Sequence, residues 1–399
     1  MKSDTGLGDF EYGLFVVNRM NVGDDIQSLA ALRFLPRVDH YIDRDQLDEV
    51  SSIQTQNNRD LKMIMNGWYL SGYDHWPPKN DKLKPLLTSI HVNPIEGSGA
   101  ATKAFKSDAS VKFLKKHSPV GARDKATLRL LQDSGIDAYF SACLTLTLNA
   151  DESVKKKDFI LAVNVSDDVY AAMKKRTKRY IVRMDVEHTE NTTTEENLAL
   201  AQYYLYMYQS AHCVVTTRLH ATLPTIAVGG KVLFVVESNG DNSDFKERFS
   251  GLYELANHTT AAEFITGGKN IYNIDSPPEN PSAYKIYREK LENICIDYTG
   301  YDSQKSYLFG KTLDEVVTGP GFFSAVTRIS EESWDAYKYE HKWSVPAIMY
   351  DDVHQSEPRK EEIKQLERRL YAEQNPGIIT SFKRLLKSLA FKAGIKHRK

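Results

Sequence analysis

Residues 214–224 have the sequence VVTTRLHATLP, a short apolar run that leads directly into an arginine, a histidine and a helical segment. The run Val214–Thr217 is rich in β-branched residues, which favours a strand buried on both faces of a parallel sheet. Arg218 and His220 follow it where the helix begins, and neither gains by packing there. Because the helix dipole adds to their positive charge, the segment predicts a pocket for a small, highly charged anion. The alternative interpretation is a core histidine beside a surface arginine.

The same alternation of apolar strands and helices extends over the first 275 residues and predicts an α/β fold with two doubly wound, Rossmann-like domains. The other predicted strands are Gly13–Asn18, Leu61–Met65, Leu86–Val92, Phe140–Leu148, Phe159–Val165, Tyr180–Met184 and Val232–Val236. The predicted helices are Asp24–Phe34, Lys125–Ser134, Asn197–Gln209 and Tyr284–Cys295. A lysine-rich linker and a proline-rich segment suggest domains at residues 1–152 and 153–300, followed by a C-terminal helical extension at 301–399.

The composition of the 399 residues excludes several classes of protein. There are 52 Lys and Arg against 53 Asp and Glu, which argues against a nucleic-acid partner. The three cysteines are far apart, so they predict buried core residues in a reducing compartment and no cysteine-based zinc site. No leader and no apolar run of membrane-spanning length is present, which predicts a soluble, cytoplasmic protein.

The charge is concentrated at the C-terminus. Residues 378–399 contain seven Lys and Arg and no acidic residue, which leaves 45 basic against 53 acidic residues in the remainder. Between residues 381 and 394 the apolar residues recur at helical spacing, with basic residues largely on the opposite face. This pattern predicts a basic amphipathic helix that binds an anionic membrane surface, at the inner face of the cytoplasmic membrane. The alternative is a helix docked on the acidic body of the protein itself.

Two more polar clusters follow predicted strands in the first half. Residues 18–25 (NRMNVGDD) place Gly23 at a tight turn, where the amides of the next helix face an anion. The alternative is that Asp24 or Asp25 only caps that helix. Residues 118–124 (SPVGARD) place Arg123 before a helix that Asp124 caps. Because folding does not require an arginine there, an anion is its expected partner. Ligands of parallel sheets bind beyond the carboxyl ends of the strands, where all these clusters lie.

Together the clusters resemble the polysaccharide pyruvyl transferase family. The resemblance rests on residues 21–27 (NVGDDIQ), 120–127 (VGARDKAT), 141–148 (SACLTLTL) and 217–221 (TRLHA), in that order. It implies a GT-B-like arrangement of the two domains, with the active site in the cleft between them. It also implies phosphoenolpyruvate as the donor substrate, without a further cofactor. The implied acceptor is a sugar of a cell-surface polysaccharide, either free or as a lipid-linked oligosaccharide.

The resemblance also assigns roles to individual residues. The donor is expected to be held by Arg123, Arg218, Leu219 (through its backbone) and His220. Phosphoenolpyruvate carries a carboxylate and a phosphate, which fits two guanidinium groups. His220 suits a general acid that protonates the methylene carbon, and Asp24 suits the base that accepts the proton of the sugar hydroxyl. Asp25 is the alternative to Asp24. No cluster of residues requires a metal, because cations and helix amides can hold the departing phosphate.

The acceptor side is less specific in the sequence. Asn66 and Trp68 follow a predicted strand and are candidates for a sugar platform, although Trp68 also fits the core. His91 ends another strand and is expected to line the cleft. Two other functions stay open at this point: a glycosyltransferase that uses a nucleotide-sugar, with Glu237 on the ribose, and a non-catalytic scaffold in glycan assembly.

Overall fold

The computed structural model describes residues 10–17, 21–69, 71–93, 99–186, 193–237, 249–267 and 272–303. The predicted extension beyond residue 303, with its basic amphipathic helix, therefore lies outside the described residues. The same holds for part of the cluster at residues 18–25.

The first half forms a parallel sheet of six strands in the order β2-β1-β3-β4-β5-β6. The strands are β1 (Phe10–Val16), β2 (His40–Asp43), β3 (Asp60–Tyr69), β4 (Leu83–Val92), β5 (Val120–Ala122) and β6 (Ala138–Phe140). The helices between them include α1 (Val22–Leu32), α2 (Ala100–Phe105), α3 (Asp108–Lys116) and α4 (Lys125–Asp133). The chain moves from β1 to β2 and then returns to the other side of β1, so a topological switch point lies between β1 and β3.

The second half repeats this topology in a parallel sheet of five strands, in the order β11-β10-β9-β7-β8. The strands are β7 (Phe159–Val163), β8 (Tyr180–Met184), β9 (Cys213–Thr216), β10 (Val232–Val236) and β11 (Asn257–Thr260). The helices include α5 (Asp167–Arg176), α6 (Thr194–Ser210), α7 (Leu219–Ala227), α8 (Ala261–Thr266) and α9 (Tyr284–Thr299). Its switch point lies between β7 and β9. The predicted α/β class with two parallel sheets is confirmed, whereas the GT-B arrangement stays a prediction.

The two halves share one apolar core. It packs α1 of the first half against α6 and α7 of the second, through residues such as Leu29, Leu205 and Ile226. Helix α9 then returns to the first sheet, where the backbone N–H of Met63 donates to the Tyr298 hydroxyl at 2.7 Å. At the opposite edge of the sheets, the start of α1 and the start of α7 lie close to each other.

One predicted strand is wrong. Residues 140–148 do not continue β6; they include a 3-10 helix at Leu144–Thr147. Ala142 has φ +58°, a left-handed conformation that interrupts an extended strand. The Thr147 hydroxyl donates to the carbonyl of Leu144 at 2.8 Å. Such local bonds compete with a strand ladder, and a fully buried apolar run does not distinguish the two structures by its pattern.

Candidate active site

Helix α1, the first helix after β1, begins next to the second half of the protein. Asn21 is the N-cap, and its Oδ1 accepts the backbone N–H of Gly23 at 2.9 Å. The alternative that Asp24 or Asp25 caps this helix is therefore wrong. The backbone N–H of Val22 donates to the carbonyl of Val186, beyond β8, at 2.8 Å. The start of α1 is thus anchored to the second half.

Gly23 touches the histidine that follows β9. A Cβ atom on Gly23 would lie 2.8 Å from Nδ1 of His220 and 2.9 Å from its Cβ, distances that a side chain does not tolerate. Only glycine lets the two segments approach this closely. Two clusters that lie about two hundred residues apart in the sequence are therefore neighbours in the fold.

Asp24 is held by an arginine that the sequence did not single out. Its carboxylate is 8% exposed, and its Oδ1 accepts hydrogen bonds from Nη1 of Arg44 and Nε2 of Gln27, both at 2.9 Å. Burial raises the pKa of Asp24, but Arg44, and more weakly His220 and Arg123, lower it below its usual value. Asp24 is therefore a charged, fixed carboxylate at neutral pH. Asp25, beside it in the first turn of α1, is also buried.

Arg123 is fully buried at the end of β5, with 0% exposure. Its backbone N–H donates to the carbonyl of Ile90 at 2.8 Å, but Nε, Nη1 and Nη2 have no hydrogen-bond partner among the described residues. Burial lowers the pKa of the guanidinium, although Cys143, Asp124 and Asp24 oppose this shift. An arginine carries five donor N–H groups and is not deprotonated in proteins. A buried guanidinium without partners is costly unless an anion binds it, so this site fits an anion.

Asp124 does not neutralise Arg123 by a hydrogen bond. Its Oδ1 caps α4 by accepting the Thr127 N–H at 2.8 Å, and its Oδ2 lies 2.6 Å from Nδ1 of His91. Burial raises the pKa of Asp124, but His91 and Arg123 outweigh this effect and lower it. The predicted capping role is confirmed, and the pairing with His91 is an addition that the sequence did not indicate.

Arg218, Leu219 and His220 lie at the start of α7. Arg218 is the N-cap residue but forms no side-chain capping bond, and it is exposed, while Leu219 is buried and His220 half-buried. The Thr217 hydroxyl donates to the carbonyl of Asn164 at 2.7 Å, which ties the segment to the end of β7. The first N–H groups of α7, on a helix without a capping side chain, add a positive dipole to the charges of Arg218 and His220.

The predicted acceptor residues lie at the ends of β3 and β4. Asn66 is buried and donates from Nδ2 to the carbonyl of Gln27 at 3.1 Å, while its Oδ1 has no partner among the described residues. Trp68 is half-buried and pairs in register with His91, with the ring centroids 4.9 Å apart. Asn66 therefore borders the Asp24 cluster through Gln27, and Trp68 borders the pair formed by His91 and Asp124.

These clusters form one electrostatic site at the carboxyl ends of the strands. His220 and Arg123 both lower the pKa of Asp24, and His91 and Arg123 both lower the pKa of Asp124. A model of the family described as polysaccharide pyruvyl transferase matches residues 21–239, more than half of the chain. The chain belongs to this family. No curated protein gives a significant match to the chain.

The matched segment of this pyruvyl transferase family member begins at Asn21, the cap of α1, and ends just beyond β10. It contains Arg44, which sequence reasoning missed because β2 is a short, polar edge strand without an apolar run. It also contains Glu237, whose Oε1 accepts the Ser166 N–H at 3.0 Å at the start of α5. One oxygen of this proposed ribose ligand is thus already engaged within the protein.

The described part of the chain has neither a metal site nor a membrane-spanning helix. No three His, Cys, Asp or Glu residues there are placed to hold a metal ion. None of the helices described is both long and apolar enough to cross a membrane. Cys143, Cys213 and Cys295 are buried, as predicted, and none of them forms a disulfide within the described residues.

Proposed function

We propose that the protein transfers the enolpyruvate-derived group of phosphoenolpyruvate to two hydroxyls of a sugar, forming a pyruvate ketal on a cell-surface polysaccharide or its lipid-linked precursor. The observation that carries the proposal is the fully buried guanidinium of Arg123, without hydrogen-bond partners among the described residues, in a site that also contains His220. A compact donor with a carboxylate and a phosphate supplies the anionic oxygens that this guanidinium requires.

The donor is held from both halves of the protein. Arg123 binds it from the first half, and Arg218 with the first amides of α7, including that of Leu219, binds it from the second. Because Arg218 is exposed, it closes on the donor from the solvent side. Fixed cations on both sides stabilise the charge that develops on the phosphate as it departs.

His220 is the proposed general acid. It sits at the start of α7, against Gly23 and within the electrostatic reach of Asp24. A proton delivered to the methylene carbon makes C2 of the donor electrophilic, so that a sugar hydroxyl can attack it. The carboxylate of Asp24 favours the protonated form of His220. Since Asp24 is tied to Arg44 and Gln27, this electrostatic support fits it better than the role of base.

The acceptor sugar is proposed to lie against the half-buried ring of Trp68, with Asn66 beside it. For the basic segment 378–399, which lies outside the described residues, we propose binding to an anionic membrane surface, near a lipid-linked acceptor. This placement would make the protein peripheral to the inner face of the cytoplasmic membrane.

Calorimetric titration tests the choice of donor. We expect phosphoenolpyruvate to bind the wild-type protein, and UDP-glucose, as a probe of the nucleotide-sugar alternative, to give no heat of binding. Binding of UDP-glucose in place of phosphoenolpyruvate would favour a glycosyltransferase. Binding of neither would favour the scaffold.

A further inference from the structure

His91 and Asp124 form a buried pair at the ends of adjacent strands. Their side chains are 1% and 0% exposed, and Nδ1 of His91 lies 2.6 Å from Oδ2 of Asp124. The carboxylate is fixed a second time, because its Oδ1 accepts the Thr127 N–H at 2.8 Å. A carboxylate that accepts the Nδ1–H of an imidazole sets the tautomer, with the lone pair on Nε2. The pair therefore has the geometry of an oriented base.

An irregularity in the sheet places His91 in this position. The pairing of β3 with β4 shifts from Met65 opposite Leu87 to Gly67 opposite Ile90, which gives β4 one extra residue. Ser89, within this bulge, has φ +52°, a left-handed conformation that serine seldom adopts. A bulge reverses the alternation of side chains beyond it and is found next to active sites, where it redirects a side chain. Strain of this kind persists where the surrounding structure enforces it.

The pair lies between the two proposed substrates. On one side, Asp124 lies within electrostatic reach of Arg123, the anion-binding arginine. On the other side, the ring of His91 packs edge-to-face against Trp68, the proposed sugar platform. Asp24, the other carboxylate of the site, is occupied by Arg44 and Gln27 and is a poor base for that reason.

We propose that His91, oriented by Asp124, is the base that accepts the proton of the attacking sugar hydroxyl, an inference that rests on the function proposed above. The O–H bond breaks, its proton moves to Nε2 of His91, and the oxygen bonds to C2 of the donor while His220 protonates C3. The second hydroxyl then replaces phosphate at C2: its proton passes to His220, and the proton held by His91 passes to the departing phosphate. The sugar loses two protons in total. One is gained by the new methyl group, and the other leaves with hydrogen phosphate. Both histidines thus return to their starting states.

Variants that preserve the local contacts test this role. His91→Asn keeps a donor near the position of Nδ1 but removes the base, and Asp124→Asn keeps an N-cap for α4 but removes the charge. Ser107→Ala, which removes the cap of α3, is the matched control for a lost helix contact in the same half. Phosphate release is measured with phosphoenolpyruvate and a panel of methyl hexopyranosides, and donor affinity is measured by calorimetry.

We expect His91→Asn to lower kcat by about 100- to 10 000-fold, the range of general base catalysis, while donor affinity stays within about threefold. Asp124→Asn should also lower kcat, and it should abolish the downfield proton NMR signal of the short His91–Asp124 hydrogen bond. Ser107→Ala should leave kcat unchanged. If the wild-type protein is active and His91→Asn retains kcat within about threefold, the role of the pair is overturned and the proposed function stands. A wild-type protein that neither binds phosphoenolpyruvate nor releases phosphate would overturn the proposed function and the role of the pair with it.

Discussion

The backbone of Gly23 and the imidazole of His220 approach so closely that a Cβ atom on residue 23 would lie 2.8 Å from Nδ1 of the histidine. This contact joins the start of α1 to the start of α7, and with it the switch points of the two sheets. The proposed acid therefore depends on a glycine of the other half for its position.

Gly23→Ala is expected to lower kcat by at least tenfold, because the new methyl group displaces His220 from the donor. In most helices glycine to alanine stabilises, but here overpacking should cost about 1 kcal/mol of unfolding free energy or more. Urea unfolding and phosphate release measure the two effects. In a His220→Gly background, which removes both Nδ1 and Cβ of the histidine, the loss of stability should be smaller; an equal loss in both backgrounds would show that the two residues are not in contact.

Arg123→Met is expected to weaken phosphoenolpyruvate binding by about 1.5–3 kcal/mol, roughly 10- to 150-fold, because it removes a charge-assisted contact. Without the donor, the unfolding free energy should stay the same or rise, since a buried cation that lacks hydrogen-bond partners is replaced by an apolar side chain of similar length. Calorimetry and thermal unfolding give the two values. Normal donor affinity together with a large loss of stability would identify Arg123 as a structural residue.

Arg218→Ala should weaken donor binding without changing stability beyond about 0.5 kcal/mol, because the residue is exposed. Lys175→Ala, which removes an exposed cation on α5 of the same half, is the matched control and should leave donor affinity unchanged. Both variants are titrated with phosphoenolpyruvate at low and high salt. A similar loss in the two variants would indicate only a general field effect of the surface charge.

At acidic pH the free energy of unfolding should depend on the protonation of Asp24 and Asp124. Both have pKa values below the ordinary 3.8: burial raises the pKa of each, but the neighbouring groups together, chiefly Arg44 for Asp24 and His91 for Asp124, outweigh this effect. Their contribution to stability is complete above the ordinary value and is lost as pH falls through the lower, folded values, because the unfolded chain binds protons first. Urea unfolding between about pH 5 and 2.5 should show this fall in the wild type.

In Asp24→Asn the fall with acidification should be smaller, although the variant starts from a lower stability because Arg44 loses its partner. Asp133→Asn, an exposed position on α4, should retain the wild-type dependence on pH. An Asp24→Asn variant with the wild-type dependence would mean that this carboxylate does not titrate with unfolding.

Truncation after Gly377 tests the proposed membrane contact. The full-length protein should float with vesicles of anionic phosphatidylglycerol at low salt. It should float less at high salt, because salt screens the seven basic residues of segment 378–399. The truncated protein should stay in the lower fraction at both salt concentrations. Equal flotation of the two forms would assign the membrane contact to another surface of the protein. No flotation of either form would contradict the proposed membrane contact.

The sequence indicated candidate site residues more readily than it indicated their contacts. Asp24, Arg123 and His220 became candidates because polar residues directly after apolar strands are visible in the pattern, and parallel sheets gather strand ends at one edge. Arg44 was missed because β2 is a polar edge strand, and β11 was missed for the same reason. The pairing of His91 with Asp124 depends on a bulge at Ser89, which no periodicity reveals.

The proposed ketal transfer is tested by incubating the wild-type protein with phosphoenolpyruvate and the panel of methyl hexopyranosides, and by measuring released phosphate together with the mass of the glycoside. We expect phosphate release that requires a glycoside, and a product that is heavier than the glycoside by one pyruvic acid less one water. Phosphate release without a modified glycoside, or no consumption of phosphoenolpyruvate with any glycoside while the Arg123 site is intact, would contradict it.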